Sequence, residues 1–89
     1  ANALAPNQPA FMDTWAMLLS AANQHERALE MQKKVVQLQP QVLEFKLNLA
    51  KIQIKAGNKD AARALLDELS AAGDRFSAQA EVDRLKKTL

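Results

Sequence analysis

Cysteine and tyrosine are absent from this 89-residue chain, and it holds only two Gly, three Pro, three Phe and one Trp. Without cysteine there is no disulfide framework and no cysteine-based metal site, although the compartment stays open. The shortage of aromatic residues argues against a β-sandwich and for closely packed helices, because alanine and leucine supply most of the apolar content. No apolar run approaches the ~20 residues a membrane-spanning helix needs. No basic segment precedes an apolar stretch in the manner of a signal peptide. One-sided charge is lacking too. Twelve basic residues against ten acidic ones give a net charge of +2, a mixed surface with no strong footprint for nucleic acid. His25 is the only histidine; it has no second ligand at helical spacing, so it is expected to be solvent-exposed and no metal site is expected. No paired acid and base, no nucleophile with its base and no glycine-rich phosphate loop can be found. The chain therefore reads as non-enzymatic, with no catalytic residues and no cofactor.

What is present is a repeat. Ala16, Asn23, Ala28 and Pro40, each moved by 34 residues, land on Ala50, Gly57, Ala62 and Asp74, and Pro40 moved the other way lands on Pro6. Small residues meet small residues and turn residues meet turn residues. Apolar positions agree as well, Leu18 with Ile52 and Val35 with Leu69. A period of this length with small residues at fixed places marks a helical-hairpin array.

The pattern predicts five helices, hence an all-α fold. The first covers 9–22, with Asp13 in its early turns and an apolar stripe of Phe11, Trp15, Leu18, Leu19 and Ala22 that places Trp15 in core or inter-repeat packing. Asn23 stops it in the left-handed conformation. The second covers 24–39, with Ala28, Val35 and Leu38 inward and Gln32 partly buried or turned to the edge; Pro40 ends it. The third covers 41–56, with Phe45, Leu49 and Ile52 as a stripe, Ala50 for close approach and Gly57 after its end. Asn58 is expected to cap the fourth, whose inner face is Ala61, Ala62, Leu65, Leu66 and Leu69 and which Gly73 closes. From Asp74 the repeat breaks. Phe76 precedes Ser77, read as the cap of a fifth helix with Ala78, Val82, Leu85 and Leu89 on one face and Gln79, Glu81, Asp83, Arg84, Lys86 and Lys87 on the other. One apolar and one polar face suit a terminal capping helix. The resulting division is 1–8, the tail of a preceding repeat; 9–42 and 43–73, two repeats; and 74–89, the capping helix. Because the chain begins in mid-repeat, it is expected to be the C-terminal part of a longer protein.

These residues resemble the tetratricopeptide repeat. That family carries small residues at its eighth and twentieth positions, a turn residue near the fifteenth and proline at the thirty-second. Counted from Pro9 these are Ala16, Ala28, Asn23 and Pro40; counted from Leu43 they are Ala50, Ala62 and Gly57, with Asp74 in the proline place. Trp15 lies three residues after the family's usual aromatic site, which is Met12 here. Gln32 and Leu66 stand at the usual aromatic of the second helix, and Leu19 and Gln53 at the usual tyrosine of the first. The resemblance covers residues 3–72 and implies a right-handed superhelical array. Asp13-Thr14-Trp15, Gly73, Phe76 and the short last helix also resemble the C-terminal end of bacterial tetratricopeptide proteins associated with exopolysaccharide and exosortase systems. That likeness implies a periplasmic or envelope setting; without it the setting is cytoplasmic.

The resemblance further implies a protein–protein interaction module that takes a protein or peptide segment in the groove of its first helices. The groove positions fall on Ala10, Asp13, Thr14, Met17, Ser20 and Ala21, then on Glu44, Leu47, Asn48, Lys51, Ile54 and Lys55. Asp13, Met17, Ser20, Leu47, Asn48, Lys51, Ile54 and Lys55 are the candidate partner-binding residues. Leu47, Lys51, Ile54 and Lys55 form one ridge at helical spacing. Its two lysines repel by roughly 0.2–0.5 kcal/mol, which a partner carboxylate would relieve. The carboxylate clamp of chaperone-binding members is not expected, because Asp13 with Met17 and Leu47 with Lys51 stand in its places. The alternative is a purely structural end of an array whose binding surface lies elsewhere. Neither nucleic-acid binding nor membrane insertion is expected: Lys33-Lys34 and Lys86-Lys87 lie on different helices without interleaved aromatics. Weak self-association is expected through a face around Leu4, Phe11 and Leu29.

Overall fold

A computed structural model describes residues 8–89; the expected repeat tail, Leu4 included, lies outside the described residues but for Gln8. Five α-helices and one 3-10 turn follow in order: α1 Pro9–Ala21, α2 His25–Leu38, α3 Leu43–Lys55, α4 Lys59–Ala71, the 3-10 turn Gly73–Arg75, and α5 Gln79–Lys87. No strand occurs among the described residues, and the all-α helical repeat expected from the period is present. α1 pairs with α2 and α3 with α4 as two hairpins; α2 and α1 both reach α3, and α5 lies on α4.

Local chemistry sets the ends. Pro9 occupies the first turn of α1, where its missing N–H would have had no helical partner. Asn23 ends that helix at φ 65°. The Gln24 N–H then reaches the Leu19 carbonyl at 2.9 Å and the Asn23 N–H the Ser20 carbonyl at 3.1 Å, the paired bonds that close a helix on a left-handed residue. Gly57, at φ 85°, repeats the arrangement one period later, with Asn58 N–H on the Gln53 carbonyl at 2.8 Å and Gly57 N–H on the Ile54 carbonyl at 3.1 Å.

The core forms where the small residues allow close approach. Ala16, Ala28 and Ile52 are fully buried together, with Met17, Leu19, Leu29 and Met31 around them. Ile52 thus carries the second hairpin into the first. A second cluster joins Leu47, Ala50, Leu66, Leu69, Phe76 and Val82. It ties α3 and α4 to α5, with Phe76 entering the core rather than only preceding the last helix.

Several sequence expectations are corrected. Phe11, Trp15 and Leu18 are 55%, 44% and 62% exposed, so the stripe they form is no part of the core of the described residues. α1 has a second apolar side, Ala16 with Leu19, and α2 packs there with Ala16 and Ala28 both fully buried. Leu38 and Ala61 are exposed as well. Asn58 makes no side-chain cap; its amide donates instead to Gln53 Oε1 at 2.8 Å. Ser77 does not cap either, since α5 starts one residue later after Ala78.

Candidate interaction surface

α1 and α3 lie side by side, and a polar rung joins them. The Asn48 amide donates to both carboxylate oxygens of Asp13, at 2.9 and 3.1 Å. The Gln32 amide donates to Asp13 Oδ1 at 2.7 Å and to the Phe45 carbonyl at 2.9 Å. Gln32 is fully buried, its Oε1 without a partner, where the sequence suggested partial burial. One half-buried carboxylate thus joins α1, α2 and α3 through amide donors alone. A second rung links α3 to α5, with Lys51 Nζ 2.8 Å from Glu81 Oε2.

These rungs decide which candidate residues share a surface. Asp13 and Asn48 meet, half-buried. Met17 is half-buried against the first core cluster, and Ile54 is half-buried on α3. Lys55 is exposed and forms no ion pair among the described residues. Three candidates depart from expectation. Ser20 is 2% exposed, its hydroxyl buried without a partner. Leu47 is 3% exposed and belongs to the second core, which α5 completes. Lys51 is already paired, so the expected lysine ridge reduces to Lys55 with Ile54 beside it. The reason is common to two of them: helical spacing gives the direction a residue points, and α5 then fills the space in front of Leu47 and Lys51.

Two contributors escaped sequence reasoning. Glu81 sat among the polar residues of α5, and nothing in its spacing links it to Lys51. Gln79 also read as a solvent-face residue, yet its amide donates to the Leu69 carbonyl at 2.7 Å and the Gly73 carbonyl at 3.0 Å, satisfying the end of α4. The Asp13–Asn48 contact did carry a signal. The two residues are 35 apart, one repeat plus one residue, which puts them on neighbouring first helices.

At the α1–α2 turn, Asn23, Gln24, His25, Glu26 and Arg27 line an open depression of about 340 Å³. His25 is half-buried there rather than solvent-exposed, with Nδ1 shielded and unpartnered. Among the described residues, no three His, Cys, Asp or Glu side chains come together to hold a metal ion. No described helix is long and apolar enough to cross a membrane. The face shared by α1 and α3 carries the Asp13 carboxylate and the Asn48 amide, half-buried Met17 and Ile54, and exposed Lys55. A tetratricopeptide repeat family profile matches residues 19–88. Comparison with characterised proteins and with solved structures yielded no match.

Proposed function

The chain belongs to the tetratricopeptide repeat family, whose members generally mediate protein–protein interaction and are non-catalytic scaffolds, and from that premise we propose that the face shared by α1 and α3 binds a segment of a partner protein. The observation that carries the proposal is the Asp13–Asn48 rung, which sets the first helices of the two hairpins side by side. With its amide committed to Asp13, Asn48 still presents its carbonyl oxygen, which accepts no hydrogen bond among the described residues and suits a backbone N–H of the incoming segment. Met17 on α1 and Ile54 on α3 are both half-buried, and methionine adapts to irregular apolar contacts. Lys55 supplies the point charge for an acidic side chain. Neither a catalytic step nor a cofactor enters this reading.

Lys51 is the wrong residue for the test. A glutamate there would face Glu81 and loosen α5, confounding binding with stability. Lys55→Glu breaks no ion pair found among the described residues. In a pull-down from a cell-envelope extract, a partner held by the unaltered chain and lost with Lys55→Glu, at unchanged helicity, supports the groove. Equal capture by both refutes it. A second reading, in which the chain serves only to close a helical array, is favoured by α5 covering Leu47 in front of α3. Capture of nothing by either protein would select it.

A further inference from the structure

Charge is ordered along α3. Glu44, Asn48, Lys51 and Lys55 recur at i, i+4, i+7 and i+11, one stripe at 3.6 residues per turn. The stripe runs from Glu44 in the first turn to Lys55 in the last. Neighbouring helices each add a carboxylate to it. Asp13 of α1 meets Asn48, and Glu81 of α5 meets Lys51. Of these charges only Lys51 and Glu81 are paired. Asp13, Glu44 and Lys55 enter no ion pair among the described residues. Two unmatched carboxylates thus lie toward one end of the stripe and one unmatched cation lies at the other.

Glu44 and Lys55 suit the dipole of their own helix, so those two alone would specify nothing. Asp13 is different. It reaches the stripe from another helix, it is half-buried, and its hydrogen bonds come from the neutral amides of Gln32 and Asn48. Its Oδ2 accepts from Asn48 alone, which leaves that oxygen a second lone pair. A half-buried charge without a counter-charge gains more from an incoming cation than one fully in water. Resting on the reading that the face shared by α1 and α3 binds a partner segment, we propose that this segment is extended and carries two opposite charges. A basic side chain is taken by Asp13 with Glu44, and an acidic one by Lys55. An extended segment also keeps a free backbone N–H for the Asn48 carbonyl oxygen, which a helix would have used. Seven residues separate Asn48 from Lys55 and eleven separate Glu44 from it, about 10 and 16 Å along a helix. An extended chain advances about 3.3 Å per residue, so the two charges of the partner stand about three to five residues apart. Like charge excludes the alternatives: a wholly acidic segment is repelled at Asp13 and Glu44, and a wholly basic one at Lys55.

The probe is a phage-displayed library of random peptides about nine residues long, enough to span the stripe when extended, selected on the whole chain. The expected result is enrichment of peptides that combine one basic and one acidic residue at that spacing. By fluorescence anisotropy, an enriched peptide should bind at least about tenfold more weakly to Lys55→Glu and to Glu44→Lys, with circular dichroism unchanged in both. Changing the basic residue of the peptide to glutamate should recover most of the loss on Glu44→Lys. Glu44→Gln, which keeps the shape and removes the charge, should weaken binding in the same direction. Asp13 is left alone in this test, because replacing it would also free Gln32 and Asn48. Enriched peptides that are acidic only, lost with Lys55→Glu but held more tightly by Glu44→Lys, would overturn the two-charge inference and leave the binding face standing. Peptides affected by neither substitution, or no enrichment at all, would overturn the binding face and this inference with it.

Discussion

Replacing Gln32 by alanine tests the inner structure of the array most directly. The side chain is fully buried and donates to a carboxylate on α1 and a backbone carbonyl on α3. A hydrogen bond to a charged acceptor contributes about 1.5–3 kcal/mol and one to a neutral carbonyl about 1. Alanine removes both, leaves the Phe45 carbonyl without this donor and opens a cavity that the helices fill only in part. The expected loss is about 3–4 kcal/mol, set against a total of roughly 4–13 kcal/mol for a chain of this length. That corresponds to a fall in Tm of about 12–25 °C. Urea denaturation followed by helical circular dichroism should show the midpoint fall with an unchanged slope. Gln32→Leu, which keeps most of the volume and removes the unpartnered Oε1, should cost less, about 1.5–3 kcal/mol. A double-mutant cycle with Asp13→Ala should give a coupling of about 1–2 kcal/mol. A loss below about 1 kcal/mol for Gln32→Ala, or no coupling to Asp13, would show that water replaces the amide and that the three helices do not depend on it.

Two further stability predictions follow from the helix ends. Gln79→Ala removes the donor to the Leu69 and Gly73 carbonyls and should cost about 1–2 kcal/mol; hydrogen exchange should quicken in α5 and the end of α4 while α1 and α2 are unaffected, and uniform acceleration would contradict the local role. Gly57→Ala meets no atom within 4 Å at its added Cβ, so its cost reports backbone strain at φ 85° alone. We expect about 1–2 kcal/mol by thermal denaturation, and a neutral or stabilising result would refute the strain argument.

The hairpins were legible because each depends on local residues. Asn23 and Gly57 take the left-handed conformation at the predicted turns, and Ala16, Ala28, Ala50 and Ala62 are all fully buried where the period placed small residues. Helical spacing could not choose between two apolar faces of one helix. On α1 the larger residues, Phe11, Trp15 and Leu18, looked like the core side by volume. Backbone approach at Ala16 and Ala28 outweighed volume, because bulky side chains at that crossing would hold the helices apart. Capping failed for a related reason. Asn58 and Ser77 are suitable caps by residue type, but Asn58 is turned so that its amide donates back to Gln53 Oε1 and its oxygen makes no cap bond, and Ser77 fell one residue outside the helix.

The candidate surface was legible only as directions. Counting positions from Pro9 and Leu43 found the residues that face away from α2 and α4, but not what lies in front of them. For Asp13 and Asn48 the neighbour is another repeat, so the period itself places the contact. For Leu47 and Lys51 the neighbour is α5, which breaks the period, and only the folded chain brings Val82 over the one and Glu81 to the other. The consequence is an asymmetry between the two edges of the array. At the α5 edge the first-helix surface is already covered and its lysine neutralised; at the α1 edge three large apolar side chains remain in water. Burying apolar surface drives association strongly, whereas a solvent-exposed ion pair contributes little. The α1 stripe stands one period before Phe45, Leu49 and Ile52, of which Leu49 and Ile52 are buried and Ile52 packs with Ala16 and Ala28 of the first hairpin, so it is the face suited to packing by a further repeat, and Lys55 is left for a partner. Substitutions at Lys55 are then expected to weaken partner capture while helical content stays unchanged, as circular dichroism beside a pull-down would show.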